Sequence, residues 1–133
     1  MSGIYCVNTN YNAAANGNIP CGSIVRRYGE CVQLDGSDIT ICGNGYYDID
    51  VVANVTPAGA GNIGIQILQD GNVVSGTTQI VVGTADSPCQ IHAMATVRQK
   101  CCGASSLSVR LVTPTDVTTG AVVTLSTRVD KVA

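Results

Sequence analysis

Residues 39–76 read ITICGNGYYDIDVVANVTPAGAGNIGIQILQDGNVVSG, and the fold is decided there. From Tyr46 to Val55 the odd positions Tyr47, Ile49, Val51, Ala53 and Val55 are apolar. The even positions carry Tyr46, Asp48, Asp50, Val52 and Asn54. A period of two predicts a half-buried strand with one wet face. Pro57, Gly59 and Gly61 interrupt the run. From Ile63 it resumes, with Ile63, Ile65 and Ile67 on one side and Gly64, Gln66 and Leu68 on the other. Asp70-Gly71-Asn72 then reads as a tight turn, because Gly and Asn accept positive φ at low cost. Two long antiparallel strands are expected.

Working outward, the rest of the chain repeats this pattern. Short strands are expected at Gly22–Arg27, Cys31–Leu34 and Ile39–Cys42, with a turn at Asp35-Gly36-Ser37-Asp38. Beyond Gly76, strands are expected at Thr77–Val82, Cys89–Arg98, Leu107–Leu111 and Ala121–Val129, with a loop over Thr113–Gly120. No stretch holds a helical period over three turns, and no solenoid repeat is present. About eight to ten strands, with turn signals about every 8–12 residues, predict an all-β antiparallel sandwich or barrel. An immunoglobulin-like arrangement lacks its usual buried Trp. Tightly spaced short strands followed by long hairpins favour a jelly roll. Residues 1–21, rich in Asn, Ala and Gly, are expected to be a flexible N-terminal arm ahead of a jelly-roll domain over 22–133.

Composition narrows the function. The chain has 133 residues, 12% of them charged, and a net charge of −2. No basic run favours nucleic acid, and no apolar run reaches the roughly 18 residues of a membrane span. Neither partner is expected. If Met1 is the native start, the absence of a basic start and an apolar core predicts no signal peptide. With no Phe or Trp, the core must be built from Val, Ile, Leu and Ala. The low charge hints at burial in an assembly.

There are seven cysteines, Cys6, Cys21, Cys31, Cys42, Cys89, Cys101 and Cys102, with no paired metal-ligand spacing and a single histidine, His92. No metal, cofactor or catalytic residue is assigned. Cys31, Cys42 and Cys89 read as small buried strand residues. Cys6 and Cys21, in the expected arm, are the candidates for an intersubunit cross-link. His92 has nothing near it in sequence to orient it as a catalytic base. Asp48 and Asp50 share a strand face and are expected to be solvated. Of Tyr46 and Tyr47, alternation sends one to the core.

Gly45–Val51 and Ile67–Val74 resemble the jelly roll of the tumour necrosis factor and complement type, in which a Gly-x-Tyr start leads into a strand and a later apolar strand ends in an Asn-Gly or Asp-Gly turn. From Ser23 to Val129 the pattern is also similar to small trimeric proteins of phages of Gram-positive bacteria and to exosporium glycoprotein C-terminal domains. The Val25–Cys31, Ile41–Tyr47 and Val97–Cys102 runs carry that similarity. The chain lacks the Gly-X-Y stalk of the stalked members. The resemblance implies a non-enzymatic homotrimer on a virion surface, as a capsid decoration, head-fibre or tail-associated protein made in the bacterial cytoplasm. The arm would contact other virion proteins. Val52, Leu68 and Met94 are the candidate subunit-interface residues, because each puts an apolar group on a polar side. Two alternatives stand beside this. One is a spore or cell-surface filament subunit tied by arm cysteines, as the resemblance to spore appendage subunits implies. The other is a glycan-binding receptor module.

Overall fold

The computed structural model describes residues 2–100, 103–113 and 120–133. The Cys101-Cys102 pair and most of the expected Thr113–Gly120 loop lie outside them.

Twelve strands are present among the described residues: β1 (Gly3–Ala13), β2 (Asn18–Ile19), β3 (Ser23–Tyr28), β4 (Val32–Asp35), β5 (Asp38–Cys42), β6 (Gly45–Pro57), β7 (Gly61–Gln69), β8 (Asn72–Val73), β9 (Gln79–Gly83), β10 (Cys89–Gln99), β11 (Ala104–Val112) and β12 (Ala121–Lys131). They form an all-β sandwich. A five-stranded sheet has the order β10-β6-β12-β1-β3. A seven-stranded sheet has the order β4-β5-β11-β7-β8, with β2 beside β11 and β9 beside β7. All neighbouring pairs are antiparallel. The count exceeds the expected eight to ten because β1 and the two-residue pairings β2 and β8 are added.

The alternation of residues 46–55 produces what a half-buried strand should show. Tyr47, Ile49, Val51, Ala53 and Val55 are all buried in the core. Ile63, Ile65 and Ile67 of β7 meet them from the other sheet, with Leu107, Val109 and Leu111 of β11 beside them. β6 and β7 do not pair with each other. β10 and β12 occupy both edges of β6, so the link at residues 58–60 carries the chain across to the opposite sheet. The Asp70-Gly71 turn is as expected: φ is +52° and +82°, and Gln69 pairs with Asn72 across a two-residue hairpin.

The N-terminal segment corrects the sequence reading. It is no arm: Gly3–Ala13 is a strand, held between β12 and β3. Ile4 and Cys6 point into the core. Its Asn-rich stretch is absorbed by a bulge between Asn8 and Tyr11, where Asn10 takes a φ of +53° and its N–H donates to Thr124 Oγ1 at 3.2 Å. The expected division at residue 21 therefore falls inside the sandwich.

Candidate assembly surface

The outward face of the five-stranded sheet gathers most of the residues singled out above. Ladder register sets them in rows. One row runs Met94, Asp50, Arg128, Tyr5 and Arg26 across β10, β6, β12, β1 and β3. The next runs His92, Val52, Ser126, Val7 and Ser23. Met94 is 64% exposed and Tyr5 38%, and Val122 is as open as Tyr5. Two of the three candidate interface residues, Val52 and Met94, thus lie together here. Leu68 does not. It lies in the seven-stranded sheet, flanked by Val73 and Ser108, and is 1% exposed, so it offers no contact surface.

The carboxylates at the middle of this face are paired within the subunit, while Arg26, opposite Tyr5, joins none of these pairs. Arg128 Nη2 donates to Asp50 Oδ2 at 2.7 Å, and Arg128 Nε lies 3.4 Å from Asp130 Oδ2. The Tyr28 hydroxyl donates to Asp130 Oδ1 at 2.7 Å, and the Thr96 hydroxyl to Asp48 Oδ1 at 2.6 Å. His92 Nε2 lies 3.5 Å from Asp50 Oδ1. The hydrogen bond to Asp50 and its charge hold the Arg128 guanidinium above its ordinary pKa. Asp48 and Asp50 therefore face separate partners and do not converge on one ligand. A groove of about 550 Å³ runs beside Tyr5, Val25, Tyr28 and Asp130 at the β3 edge. Tyr46 remains half-exposed, with the Arg98 guanidinium 5.9 Å from its ring centroid.

Cys6 and Cys21 are core residues, 0% and 1% exposed, so neither thiol can reach a neighbouring subunit in the folded protein. This overturns the arm cross-link. Burial pushes the Cys21 thiol up from 9.0 to about 12, the nearby Cys6 and Asp38 adding to it. Burial also raises Cys6 and Cys89. Tyr47 goes from 10.0 to about 12 by burial, with Cys31 and Cys42 adding to it. Its hydroxyl lies 2.7 Å from the Cys42 carbonyl and 2.9 Å from that of Gly43.

These shifts have one sign. A group whose folded pKa lies above its unfolded value stabilises the fold below the unfolded pKa. That contribution is lost as pH rises through the folded pKa. The denaturation midpoint is therefore expected to hold up to about pH 9 and to fall between about pH 9 and pH 12, where Cys21 and Tyr47 ionise. Urea titrations across that range check this. A Cys21→Ala variant should lose part of the alkaline slope, and an unchanged slope would show that this thiol does not carry it.

Among the described residues, no three His, Cys, Asp or Glu side chains come together as a metal site. Among these same residues no helix is long and apolar enough to cross a membrane.

Neither a known family model nor a curated protein matches the chain. Solved structures do. The crystal structure of murine APRIL at pH 5.0 is similar with a TM-score of 0.73 at 12% identity, covering 98% of each chain. The PRD1 vertex protein P5 is similar with a TM-score of 0.64 at 13% identity, over 99% of this chain and 97% of that one. The globular domain of zebrafish complement 1qA protein gives 0.64 at 7% identity, over 100% and 98%. At these identities the likeness is one of fold, and the chain has the jelly roll of the tumour necrosis factor and complement type.

Proposed function

We propose that the protein is a non-enzymatic structural subunit that assembles as a homotrimer through the outward face of its five-stranded sheet and is displayed on a phage virion. One observation carries this reading: Tyr5, Val52, Met94 and Val122 share that face with Asp50, Arg128 and Asp130, which pair inside the subunit. Removing such a face from water costs less than burying unpaired charges, while its apolar groups gain from contact. The similarity to the PRD1 vertex protein supports a virion role, as does the resemblance to small phage proteins.

Light scattering coupled to size exclusion tests the assembly. The expected particle is three subunits of 13.6 kDa each. Because Cys6 and Cys21 are buried, its mass should not change on adding reductant. A monomer would sink the reading, and polymers that shrink on reduction would replace it with a cross-linked filament. Immunogold electron microscopy of phage particles from the encoding bacterium tests the location. Labelled particle surfaces support a virion protein, and unlabelled particles beside labelled cells or spores overturn it.

A further inference from the structure

Cys31 and Cys42 lie near each other at one end of the β4–β5 hairpin. Cys6 and Cys21 are sealed in the core. Cys31, Cys42 and Cys89 are half-buried, Cys89 in the other sheet with its thiol 3.4 Å from the Val55 carbonyl. The β4–β5 ladder pairs Val32 with Ile41, so one step further along it Cys31 stands opposite Cys42. One backbone bond continues that step: Cys42 N–H donates to the Cys31 carbonyl at 2.9 Å, while Cys31 N–H turns to Ser2 Oγ at 3.1 Å. Opposed antiparallel residues have their Cα atoms roughly 4.5–5.5 Å apart. That falls inside the span of roughly 4.4–6.8 Å that a disulfide bridges. Opposite residues of such a pair also present their side chains to the same side. The Cys31 thiol and the Tyr47 hydroxyl both flank Gly43, and that hydroxyl donates to the Cys42 carbonyl. The Cys31 Sγ lies 3.2 Å from where a Cβ on Gly43 would be, and the Cys42 Sγ lies 3.8 Å from the Glu30 carbonyl.

We infer that Cys31 and Cys42 form a cross-strand disulfide when the protein meets an oxidising thiol–disulfide pool, clamping the edge strand β4 to β5. The oxidant is a low-molecular-weight disulfide such as oxidised glutathione. One thiol, as thiolate, attacks its S–S bond, forming a mixed disulfide and releasing one molecule of reduced thiol. The second thiolate then displaces the other half, closing the Cys31–Cys42 bond and releasing the second reduced thiol. Two electrons pass from the cysteines to the oxidant, and the two protons end on the released thiols. The consequence is mechanical. β4 is a four-residue strand at the end of the seven-stranded sheet, with one ladder partner. Short edge strands of this kind open first, and a covalent tie at the open end of the ladder removes that route. The clamp concerns β4 and β5 alone and does not depend on the trimer.

Peptide mapping tests it without altering the protein. Cleavage after Lys and Arg and before Asp releases Cys31 in YGECVQL (28–34) and Cys42 in DITICGNGYY (38–47), each with no second cysteine. After equilibration with oxidised glutathione and blocking of remaining thiols, the expected product is these two peptides joined, separating on reduction. The melting temperature should rise by roughly 5 °C on oxidation and fall back with reductant. In Cys42→Ser, both the joined peptide and the reductant-sensitive shift should vanish. Separate blocking of the two peptides, joining of either to a different cysteine, or a shift that survives in Cys42→Ser would overturn the proposal.

Discussion

A Val122→Glu, Met94→Glu double variant is expected to run as a single folded subunit where the parent runs as three. Both side chains project from the outward face of the five-stranded sheet and are substantially exposed in the isolated subunit, so the change should leave the monomer fold intact. In the assembly each new carboxylate would have to leave water. Asp50, opposite Met94, already engages Arg128, and Val122 stands between Asn12 and Thr56, so neither new carboxylate stands opposite a free cation. Burying an unpaired charge costs several kcal/mol, and each 1.4 kcal/mol is a factor of ten in association. Two such charges per subunit outweigh the contacts they replace. The control is Val82→Glu, on β9 of the other sheet, where the side chain is 81% exposed. It should leave the mass unchanged. Light scattering, with circular dichroism to confirm folding, reads both. If Val82→Glu dissociates the particle and the double variant does not, the subunits meet through the seven-stranded sheet instead.

The same face shows what the sequence could and could not reveal. Alternation in β6 was legible because each residue of the pattern depends only on its own strand. All five residues expected to point inward do so. The Asp70-Gly71 turn was legible for the same local reason. β1 was not legible. Its partners are β12, at the far end of the chain, and β3, and its Asn, Ala and Gly content masks the inward Ile4 and Cys6. The error on Cys6 and Cys21 followed directly from reading that strand as an arm. Leu68 shows a second limit: it sits on the polar side of its own strand by period, yet neighbours from β8 and β11 leave it 1% exposed. The network of Asp50, Arg128, Asp130 and Tyr28 joins four residues from three strands, β6, β12 and β3, through register alone. No spacing in the sequence announces it. The Cys31–Cys42 pairing was within reach, because the Asp35–Asp38 turn fixes the hairpin register that sets them opposite each other.

Gly22→Ala is expected to be strongly destabilising, and Gly36→Ala is its calibration. Gly22 has a φ of +90°, in the region where an L side chain is strained. Gly36, in the β4–β5 turn, has a φ of +64° and shares that penalty of about 1–2 kcal/mol. The surroundings differ. A Cβ on Gly36 would meet nothing within 4 Å. On Gly22 it would collide with the Val7 carbonyl oxygen and lie 2.7 Å from Asn8 Cβ. Neither obstacle is the far end of a flexible side chain. Val7 is paired to Ser23 on one side of β1 and to Ser126 on the other. Asn8 is tied by its side-chain amide to the Pro20 carbonyl at 2.9 Å, and Cys21 N–H to the Ser37 carbonyl at 2.9 Å. To admit the methyl, β1 must move away from the segment entering β3, and Cys6 and Cys21 lie on either side of that contact in the core. Overpacking of this kind adds about 1–3 kcal/mol to the backbone strain. Gly22→Ala should therefore lose about 3 kcal/mol or more in denaturant unfolding, against about 1–2 kcal/mol for Gly36→Ala, both measured at the same protein concentration. Equal losses would mean that β1 and the start of β3 are less closely joined than their hydrogen bonds and register indicate, and would reopen the N-terminal segment as a separable arm.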